Sequence, residues 1–141
     1  MTNENREHCK RIALELEAYI KGDLYRCPEC GEVIEWKNEQ HNPVTGEFVC
    51  QACGRTVDDG ELEAVSLYDF FADALDIEYR VGSDKKYRSV RIMVAYGGPN
   101  IYIDTQRKAV ELYWWTDYES FPLSLDAVEA VDEWAEQFWS C

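Results

Sequence analysis

Four cysteines of this 141-residue chain are spaced for chemistry: Cys27 and Cys30 enclose two residues, nineteen follow, and Cys50 and Cys53 again enclose two. Thiolates are soft ligands, and two matched Cys-x-x-Cys pairs at this separation suit one tetrahedral metal better than two independent redox dithiols. Four protein ligands complete the coordination sphere of Zn²⁺ and leave no position for water or substrate. The expected cofactor is therefore one structural Zn²⁺, with a rubredoxin-like iron site as the competing reading. Gly31 and Gly54 follow the two pairs. Glycine there lets the backbone turn tightly and aim amide hydrogens at the sulfurs, while Pro28 stiffens the first turn.

The segments Cys27-Pro28-Glu29-Cys30-Gly31 and Cys50-Gln51-Ala52-Cys53-Gly54 resemble the zinc-ribbon family, over residues 24–57. Zinc ribbons often touch nucleic acid, and one that does so carries a basic face with interleaved aromatics. Here Arg26, Lys37 and Arg55 stand against Glu29, Glu32, Glu35, Glu39 and Glu47. That balance opposes phosphate binding, so direct nucleic-acid contact is not expected and a stabilising or protein-docking ribbon is.

Charge extends the argument to the whole chain. Twenty-eight acidic residues against fourteen basic ones give a formal charge of −14. Residues 109–141 hold Glu111, Asp117, Glu119, Asp126, Glu129, Asp132, Glu133 and Glu136 with no Lys or Arg. Such a surface repels nucleic acid and attracts basic protein surfaces. A hydrophobic share of 46% with 13% aromatics predicts a packed core. No apolar run is long enough to span a bilayer and no secretory h-region opens the chain, so a cytoplasmic location in a host cell is expected, where thiols stay reduced.

Three helices must frame these features. Cys9, Ile12, Leu16, Tyr19 and Ile20 recur at helical spacing and Gly22 stands where a C-terminal cap belongs, predicting a helix within residues 1–23. Its narrow stripe requires a partner elsewhere in the molecule. After the ribbon and the acidic stretch Asp58-Asp59-Gly60-Glu61, Ser66 and Asp69 form a capping-box pattern for a helix over residues 67–75, with Leu67, Phe70, Phe71, Ala74 and Leu75 inward. The third runs over residues 125–138, capped by Ser124, with Leu125, Val128, Val131, Ala135 and Phe138 inward. Asp126, Glu129, Glu133 and Glu136 form a second, acidic stripe on it.

Between the last two helices the period becomes two. Strands are expected over residues 77–81, 87–96, 101–103 and 109–115, joined by turns at Gly82-Ser83-Asp84, Gly97-Gly98-Pro99-Asn100 and Thr105-Gln106-Arg107-Lys108. Connections this short impose a four-stranded antiparallel meander. The fold class is thus α+β: an N-terminal helix (1–23), a zinc ribbon (24–57), and a domain of helix, sheet and acidic helix (58–141).

Other constellations carry less. Arg80, Lys85, Lys86, Arg88 and Arg91 make the one basic cluster, read as a solvated hairpin that balances the acidic helix; contact with RNA or DNA through it, as in a small nucleic-acid-binding or transcription-associated ribbon, is the alternative. Alternation buries one of Trp114 and Trp115, leaving the other to pack on the ribbon or to serve as a binding anchor; Trp115 is the candidate partner-binding residue. His8, Cys9, His41 and Cys141 pair with no base or nucleophile at a recognisable spacing. No carboxylate stands in an apolar context that would hold it protonated, so no enzyme is expected.

Residues 97–105 (GGPNIYIDT), the run Val110-Glu111-Leu112-Tyr113-Trp114-Trp115 and the acidic closing helix resemble small acidic proteins of phages, plasmids and conjugative elements of Firmicutes, over residues 77–138. The resemblance implies an antagonist of host defence, of the anti-CRISPR or antirestriction kind. Its partner would be a protein with a basic surface, such as a CRISPR–Cas complex. Asp126, Glu129, Glu133 and Glu136 would imitate nucleic-acid charge in a basic channel.

Overall fold

A computed structural model describes residues 2–140. Helix α1 (Thr2–Lys21) ends at Gly22, whose φ of +80° is the left-handed conformation expected of the cap. Met1 and Cys141, both covered by readings of the sequence, lie outside the described residues.

Six short strands build the four-cysteine region: β1 (Leu24–Arg26), β2 (Val33–Glu35), β3 (His41–Asn42), β4 (Glu47–Val49), β5 (Thr56–Asp58) and β6 (Glu63–Ala64). They form two three-stranded antiparallel sheets, ordered β2-β1-β6 and β3-β4-β5. The acidic stretch after the second cysteine pair forms a 3-10 turn at Asp59–Glu61, and the chain then returns as β6 beside β1. Ile34, Phe48 and Val57 make a small core of their own, with Trp36 stacked on Phe48 at 4.9 Å.

The third and largest sheet has five strands, not four: β7 (Asp76–Val81), β8 (Tyr87–Ala95), β9 (Asn100–Asp104), β10 (Ala109–Trp114) and β11 (Asp117–Pro122), each antiparallel to the one before. The unexpected strand is β11. It carries Asp117, Glu119, Ser120 and Pro122, which read as loop, and the turn before it lacks the usual Gly or Asn because Trp115 adopts φ +56° there. Its pairing with β10 and the packing of α1 across both strands hold it in place.

Helix α2 (Leu67–Phe70) is a single turn, shorter than its sequence pattern suggests. The capping box forms as read, with Ser66 Oγ accepting from Tyr68 N and Asp69 Oδ2 accepting from Ser66 N. The helix stops because the chain must turn into β7, where Leu75 N already donates to Met93 O across the sheet. Leu75 is therefore exposed rather than buried.

Helix α3 (Leu125–Trp139) is capped by Ser124, whose Oγ accepts from Ala127 N at 3.1 Å. It buries Ala127, Val128, Val131, Trp134 and Ala135. Leu125 and Phe138, both expected inside, are exposed: the buried stripe is rotated towards Trp134, which packs against Phe71. Cys9 and Leu16 of α1 join Ile92, Ile103, Val110 and Val131 in one core, so both long helices cover the same face of the sheet. Among the described residues no helix is long and apolar enough to cross a membrane.

Candidate metal centre and partner surfaces

Each cysteine pair sits in a turn with the same hydrogen bonds. Cys27 N donates to Glu32 O and Gly31 N to Cys27 O, both at 2.9 Å. Cys50 N donates to Arg55 O at 2.9 Å and Gly54 N to Cys50 O at 2.8 Å. Gly31 and Gly54 adopt φ +75° and +72°, a conformation that only glycine takes freely. These turns aim amides at sulfur: the N–H groups of Glu32, Arg55, and Ala52 with Cys53 bond to Cys30, Cys53 and Cys50 respectively.

The two turns face each other and bring the four Sγ atoms within 4.8 Å of one another. Cys27–Cys53 and Cys30–Cys50 are separated by 4.0 and 3.8 Å. A tetrahedral ion with Zn–S bonds of about 2.3 Å needs sulfurs about 3.8 Å apart. The cluster is thus compatible with a zinc site. Cys27 and Cys50 are buried and Cys30 is exposed.

The thiols are not equivalent. Burial opposes ionisation of Cys50, but the amides of Cys53 and Ala52 and the neighbouring thiols outweigh it and bring the group down to about 7. The Glu32 amide favours the Cys30 thiolate, yet burial and the three facing thiols push Cys30 up to about 12. His41 stands apart from the sulfurs; its Nε2 pairs with Asp59 Oδ2 at 2.9 Å. Two of the three bases in this region are engaged: Arg55 pairs with Glu29 at 3.2 Å, and Arg26 reaches Asp69 at 3.8 Å and Gly31 O at 3.1 Å.

On α3, Asp126, Glu129, Glu133 and Glu136 are all exposed on one side, as the spacing implied. Trp115 is not with them. It occupies the β10–β11 turn, 87% exposed, and β11, a strand about 20 Å long, separates it from the start of α3. It does not pack on the ribbon. Trp114 rests on the Gly98 backbone, where a β-carbon would come within 3.4 Å of its ring.

The basic cluster is largely absorbed by the sheet itself. Arg80 binds Asp104 and Ser89, Arg91 lies 3.7 Å over the Tyr102 ring, and Arg88 pairs with Asp84. Its three arginines pair with carboxylates of the same sheet and its turns, not with those of α3.

Sequence reasoning missed two carboxylates of full burial, Asp104 and Glu111, both 0% exposed on the sheet face opposite the helices. Burial opposes the Asp104 charge, but the Arg80 guanidinium and the amides of Arg107 and Gln106 hold its carboxyl below the usual range. Glu111 Oε2 accepts from Tyr118 Oη at 2.6 Å and Arg107 Nη1 at 3.1 Å, while its Oε1 has no hydrogen-bond partner. Arg107, four residues before Glu111, was the signal available; Tyr118 reaches it only through strand β11, which the sequence did not show.

No family model, curated protein or solved structure matches the chain.

Proposed function

We propose that the four cysteines hold one structural zinc ion and that the chain is a non-enzymatic, protein-binding factor acting through the acidic face of α3. The observation that carries the second part is the stripe Asp126, Glu129, Glu133 and Glu136, exposed in full on a helix with no base in its last turn. Like charges three and four residues apart repel by a few tenths of a kcal/mol per pair, and Glu136 sits at the helix end where a cation is preferred. Only Asp126, in the first turn, suits the helix; the rest of the stripe is better matched by a basic partner surface than by the fold.

The partner is a protein whose basic channel normally holds nucleic acid. The resemblance of residues 77–138 to proteins of mobile elements extends the proposal to a host defence complex, such as a CRISPR–Cas effector, in the cytosol of the host cell. Direct nucleic-acid binding is disfavoured, because Arg80, Arg88 and Arg91 are already engaged within the sheet and its turns.

The test replaces Asp126, Glu129, Glu133 and Glu136 together by Lys. The variant keeps its fold and its metal but loses binding to, and inhibition of, a nucleic-acid-handling complex that the native chain engages. For the native chain that binding weakens steeply with salt. Undiminished binding by the variant sinks the proposal.

A further inference from the structure

The two ends of the five-stranded sheet differ in chemistry. In a meander, the β7–β8 and β9–β10 turns share one end, which carries Lys85, Lys86, Arg88, Arg107 and Lys108. The β8–β9 and β10–β11 turns share the other, which is aromatic. There Tyr96, Gly97, Asn100, Tyr113, Trp114 and Trp115 line a groove of about 310 Å³. Tyr96 is 73% and Trp115 87% exposed, so two large rings face solvent beside one another's walls.

Among the ring contacts of the described residues, Trp115 meets only the edge of the Trp114 ring, at 5.7 Å. Its ring is not buried, and its φ of +56° is one that a bulky side chain adopts at a cost. An exposed aromatic kept in a conformation suited to glycine points to a contact made outside the chain. The groove walls are also ordered: Gly97 N donates to Asn100 Oδ1 at 2.8 Å, and the Trp114 ring is braced on Gly98.

Charge selects the occupant. Residues 92–106 and 109–123 contain no Lys or Arg, and Asp76 and Asp117 begin the strands at this end. Aromatic faces attract guanidinium and ammonium groups, and they do so more strongly where water is excluded. The chain itself makes such contacts, placing Arg91 3.7 Å from the centre of Tyr102 and 6.0 Å from that of Tyr113, and Arg6 5.5 Å from that of Phe121. We propose that the aromatic end of the sheet is a second binding site, which takes an arginine- or lysine-bearing segment of a protein partner into the groove beside Trp115. This deepens the protein-binding reading above, but it stands on residues separate from α3, so either can fail alone.

The experiment titrates the zinc-loaded full chain with the peptide acetyl-Gly-Arg-Gly-Arg-Gly-amide at physiological salt, following the indole N–H signals of its five tryptophans. The arginine peptide should shift the Trp114 and Trp115 signals, and the same peptide with neutral citrulline should bind at least tenfold more weakly. Trp115→Gly should abolish the shift at Trp114 while melting no lower than the native chain, because glycine accepts this backbone conformation. The α3 variant with four lysines should retain the Trp114 and Trp115 shifts. Equal binding by the citrulline peptide, undiminished binding by Trp115→Gly, shifts confined to Trp134 and Trp139 of α3, or no shift at millimolar peptide would each overturn the proposal.

Discussion

Arg80 on β7 reaches across β8 to clamp Asp104 on β9, its Nη1 donating to Oδ1 at 2.9 Å and its Nη2 to Oδ2 at 2.7 Å, while Nη1 also meets Ser89 Oγ of the strand it crosses. Three strands are thereby tied at one point on the face that no helix covers.

Removing the guanidinium leaves a wholly buried carboxylate behind. Breaking a buried pair typically costs 3–5 kcal/mol, and because Arg80 is partly exposed and Arg91 also approaches Asp104, Arg80→Met should cost about 3 kcal/mol in urea denaturation. The pH dependence has a defined sign. Asp104 is held below its unfolded value of about 3.9, so the stability it brings is complete above that pH and is lost as pH falls through the lower folded value. Native protein should therefore lose stability on acidification below about pH 4 more steeply than Arg80→Met. Parallel acid limbs for the two would refute the clamp.

Metal removal should separate the two cores. A strong chelator, or Cys27→Ser with Cys50→Ser, should unfold the region of Phe48 and Trp36 while the sheet signals of Ile92, Ile103 and Val110 persist in amide spectra. Elemental analysis of the native protein should return one zinc per chain and little iron. A stoichiometry near zero, or iron in place of zinc, would reject the assignment.

Tyr87 joins the sheet to α3 by donating its Oη to Asp132 Oδ1 at 2.6 Å. Burial and this bond raise the phenol well above its ordinary range. Tyr87→Phe should lower stability by about 1–3 kcal/mol through the bond lost to a charged acceptor. The raised value works in the alkaline direction: its contribution is whole below the unfolded value of about 10 and declines as pH rises past it. Tyr19 and Tyr118 are raised in the same direction, so ultraviolet titration should show fewer early-ionising phenols in the native chain than in the unfolded one, with the latest of them absent from Tyr87→Phe; an equal count in both states would contradict the burial.

The parts of this structure that were legible in the sequence are the local ones. Cys27, Cys30, Cys50 and Cys53 announce themselves because ligand spacing is set within each turn, and α1 and α3 because their stripes repeat every turn. Strand β11 was hidden because its edge position tolerates Asp117, Glu119 and Pro122, and because Trp115 stands in a turn position normally signalled by glycine. The burial of Asp104 and Glu111 was hidden for another reason. Alternation places both on the face away from the helices, which reads as solvent-facing; what covers them is the side chains of Arg80, Arg91, Tyr102 and Tyr118 from other strands, brought over by register alone. Leu125 and Phe138 misled because a helix's inner face is fixed by where Trp134 finds room, and nine apolar residues in fifteen leave that rotation open.

Strand β6 has a bearing on the chain's modularity. Because Ala64 pairs with Tyr25 and Val65 N donates to Leu24 O, the polypeptide leaves the four-cysteine region within about 5 Å of where it came in. The helix that precedes the region and the sheet that follows it share one core. The four-cysteine region is thus an insertion between α1 and the sheet, attached through two adjacent strands, and excising it would leave a gap that a few residues can bridge. Such a join allows the inserted module to be lost, exchanged or elaborated across related genes while the sheet and its helices stay as they are.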